Sequence, residues 1–331
     1  MLNQPALNAL SKNDQIDHFL LIRRLEIRNT RTGSSYLSTE LGDKSASLNA
    51  NMWEGFSELA ATGEVGDVVK VKGTIEEFQG ALQIRVTSIK LATAADKVSP
   101  RDFLPESKRN LEEMKKEFNQ KIKSISNVLL GKLLKQIFSG ERFEQFCNAP
   151  AGKSWHHAYV HGLLEHTLEI IKICELMCKF HPEMNRDLLI SGAMLHDIGK
   201  IEELSYDSAF EYTDKGKLVG HIVIASMMVR DEIKKIPGFP LELENNLIHL
   251  ILSHQGKLEH ASPVVPKTAE AIALYQADEL SAKVNAYKSA IETEIRGDTN
   301  WTRFISLADT DLHKHNITPE SKEKINKSLF E

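Results

Sequence analysis

The 331 residues predict a multidomain protein of mixed α and β structure: an N-terminal five-stranded OB-fold β-barrel, a helical linker and an all-α C-terminal domain. Three observations carry this reading. Apolar and polar residues alternate between turn signals across residues 17–92, apolar residues recur at three- and four-residue steps from residue 106 onward, and the length allows two or three domains at roughly 100–200 residues each. The expected divisions are an extension at 1–16, the barrel at 17–95, a linker and basic helical segment at 96–150, a helical domain at 151–310 and a helical tail at 311–331.

The barrel is built strand by strand. Residues 18–28 form an apolar stretch ending in a turn at 29–34, and residues 36–41 and 46–53 supply the next two strands. Residues 54–62 read as a short helix. Residues 67–78 set Val69, Val71 and Ile75 against Lys70, Lys72 and Thr74. Gln79-Gly80 signals a hairpin, and Leu82, Ile84, Val86 and Ile89 continue the alternation. Five short strands with a helix between the third and fourth follow the order of an OB-fold. Such a barrel suits single-stranded nucleic acid, for which Tyr36, Trp53 and Phe78 are candidate stacking groups, with Arg23, Arg31, Lys70, Lys72 and Arg85 as groove cations. The same aromatics could instead fill the barrel core.

Residues 93–108 hold Pro100 and Pro105 and read as a linker. From 106 to 146 the pattern is helical, with Leu111, Met114, Phe118, Ile122 and Ile125 on one face and Lys115, Lys116, Lys121 and Lys123 on the other. Those lysines fit either a solvated face or a guide for a polyanion. Residues 101–154 carry 11 Lys and Arg against 7 Asp and Glu, while the whole chain has a formal charge of -5, which argues against binding nucleic acid by bulk charge alone. Further helices are expected at 219–235, 241–254, 267–293 and 318–329.

Hydrophobic residues make up 41% and charged residues 26%, so the composition is neither disordered nor collagenous. No apolar run approaches the ~20 residues of a membrane span, and no signal-peptide core is evident at the start. Three cysteines without a CxxC motif disfavour a disulfide scaffold and a cysteine-rich zinc site and make a reducing cytoplasm the expected setting.

The chemistry concentrates in histidines. Leu195-His196-Asp197-Ile198-Gly199-Lys200 closes a helical pattern, and near a helix end adjacent His and Asp can converge although they diverge by about 100° within a helix. His166 sits among Leu163, Ile170 and Ile173 on an apolar face. His221, His254 and Asp278 follow downstream. Each alone reads as a core histidine or a surface carboxylate. Together, several helices each burying one such group need a common partner, and a divalent cation supplies it.

His166, His196-Asp197 and Asp278 in that order, with Gly199-Lys200 after the dyad, resemble the HD-domain metallophosphohydrolase superfamily, and His221 and His254 resemble its two-metal branch. Trp155-His156-His157-Ala158-Tyr159, Gly162-Leu163-Leu164-Glu165-His166-Thr167, Ser253-His254 and Ser262-Pro263 narrow the resemblance to the YhaM-type bacterial 3′→5′ exoribonucleases, over roughly residues 17–310. The resemblance implies a metal-dependent hydrolase of single-stranded RNA or DNA. In it Asp197 bridges two ions, His166, His196 and Asp278 hold the first, His221 and His254 hold the second, and Lys200 offsets charge on the phosphate. Mixed imidazole and carboxylate ligands suit Mn²⁺, Fe²⁺, Co²⁺ or Zn²⁺ better than Mg²⁺, with manganese the expected ion. Three departures stand out: Gln255 replaces a second histidine, Ser281 stands where some relatives carry an aspartate, and His161 where glycine is common. An HD phosphohydrolase of small or cyclic nucleotides, and a nucleic-acid-binding protein with an inactive HD domain, are the competing readings. A homo-oligomer is left open.

Overall fold

The computed structural model describes residues 4–30, 33–78, 80–153, 155–295 and 299–317. Arg31 and the helix expected at 318–329 lie outside the described residues. Contacts gather Met1–Ala282 into one compact unit and Lys283–Glu331 into a second.

The five expected strands are all present: β1 (Gln15–Asn29), β2 (Ser35–Gly42), β3 (Ser47–Met52), β4 (Val68–Phe78) and β5 (Ala81–Leu91), with α1 (Ser57–Thr62) between the third and fourth. They close a barrel in the order β1-β2-β3-β5-β4. Only the β3–β5 pairing is parallel. The long β1 makes closure possible, because its first half pairs with β4 and its second half with β2. A register shift between Ile22 and Arg24 bends the strand where it changes partner. Inward positions of the period-2 pattern are filled by Leu20, Ile22, Leu37, Leu41, Val69, Val71, Ile75 and Ile84, all fully buried. Phe78 pairs with Ala81 to close the β4–β5 hairpin, where Gly80 takes a φ of +77°.

The expected linker is more structured than its prolines imply. Thr93 and Ser99 each cap a 3₁₀ turn with an aspartate three residues on, and Phe103 and Leu104 are buried. These two join Val160 with Leu21 and Val68 of the barrel in a separate apolar cluster. Ser107 N–H donates to the Val160 carbonyl at 3.0 Å, Val160 N–H to the Pro105 carbonyl at 2.8 Å, and Lys44 pairs with Glu106 at 2.8 Å. Barrel and helical domain are therefore packed together.

The helical stretch from 106 to 146 divides into three helices: α2 (Leu111–Lys123), α3 (Val128–Ile137) and α4 (Gly140–Asn148). Asn110 and Asn127 restart the chain by accepting hydrogen bonds from the first-turn N–H groups of α2 and α3. Phe118, Phe138, Phe143 and Phe146 pack edge and face, with centroids 4.8–6.4 Å apart. Lys115 pairs with Glu144 at 2.9 Å and Lys121 with Glu175 at 2.6 Å, so two of the four lysines bind helices together instead of facing a polyanion.

The remainder is α5 (Gly162–Phe180), α6 (Arg186–Leu195), α7 (Lys200–Glu203), the two-residue strands β6 (Leu204–Ser205) and β7 (Glu211–Tyr212), α8 (Asp214–Val219), α9 (His221–Ile233), α10 (Leu241–Ser253) and α11 (Ala269–Thr293). The β6–β7 pair departs from the all-helical expectation. In the second unit, isolated antiparallel bridges join Trp301 to His313 and Ile305 to Thr310.

Candidate metal centre and strand-binding face

Five helices, four of them at or near their ends, deliver the ligating side chains to one buried point. His166 lies one turn into α5, and His196 caps α6 with Asp197 in the turn beyond it. His221 opens α9, His254 caps α10, and Asp278 comes from α11. The backbone leaves the α-helical path at residues 196–199, which lets two adjacent side chains aim at one place: His196 Nε2 is 3.3 Å from Asp197 Oδ2. A β-carbon on Gly199 would strike the His221 carbonyl, so the glycine lets α9 come down onto this turn. His166, His196, Asp197 and His254 are each at most 1% exposed.

Asp197 is the shared member of two groups of donor atoms, His166 with His196 and His221 with His254. Its Oδ2 lies 3.7 Å from His166 Nε2, and its Oδ1 lies 3.5 Å from both His221 Nε2 and His254 Nε2. Asp278 Oδ1 is 3.0 Å from His166 Nε2. Lys200 is buried with its Nζ 2.6 Å from Asp197 Oδ2, which excludes a solvated lysine after a helix cap.

The opposite ring nitrogens orient the rings so that Nε2 faces inward. Nδ1 of His196 meets the Ala193 carbonyl at 2.8 Å, that of His254 the Ile251 carbonyl at 2.7 Å, and that of His221 the Glu203 carboxylate at 2.9 Å. Carbonyls and carboxylates only accept, so in each neutral ring Nδ1 carries the proton and Nε2 presents a lone pair. Nε2 of His166, His196 and His221 and Oδ1 of Asp197 have no hydrogen-bond partner. His166 Nε2 and Asp278 Oδ1 approach closely in a buried site without hydrogen-bond geometry. Converging buried acceptors of mixed imidazole and carboxylate type fit divalent cations.

Electrostatics follow the same layout. Burial pushes the Asp197 carboxyl up, but Lys200 and His196 outweigh it and hold the group well below the usual carboxylate range. Asp278 is lowered likewise, burial being overcome by the His166 contact and charge. Burial lowers His166 and His254, whereas for His196 the Asp197 charge overcomes burial and raises it. Lys200 is raised because Asp197 and Asp278 outweigh its burial.

Several residues in this site were not assigned roles from sequence. Glu203 binds both the backbone N–H and the ring of His221, each at 2.9 Å. The His156 ring sits 5.3 Å from that of His166, and burial, then Lys200, pushes it down to about 3. His156 stands in the Trp155–Tyr159 motif, but in a loop with no apolar stripe to mark its direction. Gln255 Nε2 lies 3.3 Å from His254 Nε2, so this departure faces the site. His161 adopts a φ of +69°, the left-handed region that favours glycine, and its Nδ1 bonds the Cys147 carbonyl at 2.7 Å.

On the barrel, Tyr36 and Trp53 stack with centroids 4.6 Å apart and planes at 26°. They line a cleft of about 500 Å³ with Phe78, Asn51, Gln83 and Arg85, whose guanidinium pairs with Glu76 at 3.3 Å. Trp53 is 53% and Phe78 59% exposed, so these aromatics are surface groups and not barrel core. The other cations are elsewhere. Arg23 is drawn into the β1 bulge, donating to the Asp43 carbonyl at 2.8 Å, while Lys70 and Lys72 pair with Asp17, Lys70 also lying 4.3 Å from the Phe19 ring centroid.

A helical metal-binding constellation joined to an OB barrel defines the class. The HD domain family matches residues 163–283, and the OB-fold nucleic acid binding domain family matches residues 23–92. The curated relatives include the 3′-5′ exoribonuclease YhaM of Oceanobacillus iheyensis, 34% identical over 92% of this chain and 95% of that protein. Those of Geobacillus sp. (strain WCH70) and Bacillus subtilis (strain 168) are each 32% identical over 91% of this chain, covering 92% and 95% of their own lengths. The chain belongs to the YhaM exoribonuclease family.

Proposed function

We propose that this protein is a metal-dependent 3′→5′ exoribonuclease that hydrolyses single-stranded RNA. The observation that supports it most is Asp197, buried between two sets of inward-facing histidine lone pairs and bonded to a buried lysine. Bound divalent ions would supply a nucleophilic water at neutral pH and neutralise phosphate charge.

His166, His196 and Asp278 would hold one ion, His221 and His254 the other, and Asp197 offers one oxygen to each set. Manganese is the proposed metal, since the donor set mixes nitrogen and oxygen. Acceptors at Nδ1 keep three of the four imidazoles, His196, His221 and His254, aimed with Nε2 toward the site. Lys200 carries a fixed positive charge beside the site, where it offsets charge building on the phosphate oxygens. The Tyr36–Trp53 platform and Phe78 would stack bases while Arg85 meets the backbone, leaving chemistry to the helical domain. The functional division is the barrel at 17–95, the linker at 96–150 and the hydrolase at 151–310. Among the described residues no helix is long and apolar enough to cross a membrane; a cytoplasmic setting, where RNA is at hand, is part of the proposal.

The test is incubation of metal-loaded protein with 5′-end-labelled single-stranded RNA, with DNA and with free or cyclic nucleotides. A ladder of progressively shorter RNA is expected. Turnover of nucleotides alone would identify a small-molecule phosphohydrolase, and binding without turnover an inactive HD domain.

A further inference from the structure

Three of the four site histidines rest their Nδ1 on groups that can only accept a proton. His166 is different. Its Nδ1 meets the Ser281 hydroxyl at 3.1 Å, and a hydroxyl can donate or accept. If Ser281 donated, the His166 proton would move to Nε2 and point into the site, where it would block a cation. A third residue removes the ambiguity. Ser281 Oγ lies 2.8 Å from Glu169 Oε2, and an ionised carboxylate accepts only. The single hydroxyl proton is thus committed to Glu169, the oxygen lone pairs face His166, and Nδ1 must donate. His157 Nε2 lies 3.3 Å from the same Glu169 oxygen. Glu169 sits three residues beyond His166 on α5, so the chain of bonds leaves that helix, passes through Ser281 on α11 and returns.

We propose that Glu169 and Ser281 form a positioning relay that fixes the Nδ1–H tautomer of His166 and thereby leaves its Nε2 free to bind metal. The inference rests on the metal-site reading above, but it is tested first without metal. Neither residue touches the cation or the substrate. Ser281 does for His166 what Glu203 does for His221, with the carboxylate set one bond further away.

Two measurements on the full-length protein decide it. Long-range proton–nitrogen correlation spectra of metal-free protein report the tautomer of His166, assigned by comparison with His166→Gln. Wild type should show Nδ1–H, and Glu169→Ala, which frees the Ser281 proton, should shift His166 towards Nε2–H. Titration with Mn²⁺ followed by electron paramagnetic resonance should then show affinity weakened about tenfold or more in Glu169→Ala and Ser281→Ala. Ser281→Thr, which keeps the hydroxyl, should restore most of it. An Nε2–H tautomer in wild type, or Mn²⁺ affinity unchanged in both alanine variants, overturns the relay. If wild type bound no Mn²⁺ the metal-site reading would fail, while the tautomer spectra would still judge the relay.

Discussion

Trp53→Ala is the sharpest test of the strand-binding face. One side of the indole is covered by Tyr36, and the residue is still 53% exposed, so a single face is free to receive one base. Base–aromatic stacking contributes about 1–3 kcal/mol per base, which converts to roughly 5- to 150-fold in affinity. Tyr36 remains as a partial platform after truncation, so the middle of that range, about 30-fold, is expected. Trp53 lies outside the buried barrel core, so the stability change should stay within about 1 kcal/mol. The assay is fluorescence anisotropy of labelled single-stranded RNA with a chelator present to prevent cleavage. Hydrolysis of a small phosphodiester with Mn²⁺ is the companion measurement that separates grip from chemistry. A change in dissociation constant below twofold would show that the cleft does not hold the strand.

Asp197→Asn should abolish RNA hydrolysis and lower stability by about 3 kcal/mol in urea melts, because buried Lys200 loses its charged partner but keeps an amide oxygen; turnover above about one percent of wild type would exclude the shared-ligand role. Apparent Mn²⁺ affinity should weaken as pH falls. His196 is raised above its ordinary value of about 6.5 by Asp197 and must lose its proton to bind, whereas His166 and His254 are lowered and already neutral. Binding titrations across neutral pH check this, and a pH-independent affinity would contradict it. Gln255→His should reduce the Mn²⁺ concentration for half-maximal activity, since an imidazole would replace an amide 3.3 Å from His254 Nε2; superimposable metal titrations would remove position 255 from the site.

The barrel was legible because its signal is local: inward Val69, Val71 and Ile75 alternate with outward Lys70, Lys72 and Thr74, and Gly80 marks its hairpin. His166, His196, Asp197 and Asp278 were legible as a group for the opposite reason, as polar residues inside apolar stripes that periodicity alone cannot excuse. What sequence could not supply were pairings across long separations. Arg23, Lys70 and Lys72 look like groove cations until Asp43 and Asp17 are brought beside them by β-strand register. Glu203 and Glu169 are ordinary helix carboxylates until His221 and Ser281 arrive from other helices. The division of the helical stretch from 106 to 146 into three was not legible, because Asn127 looks like any polar residue until it caps α3.

The joint formed by Phe103, Leu104 and Val160 with Leu21 and Val68 has a consequence for how a strand is shortened. A flexible tether would let the gripping surface follow its substrate inward, whatever length remained. A packed joint makes the separation between grip and cut a fixed ruler. An RNA longer than that ruler stays held while its end is trimmed, and one shorter must be caught anew for every cleavage. Product ladders should therefore change from continuous to stepwise at one characteristic length, set by the packing of five apolar side chains.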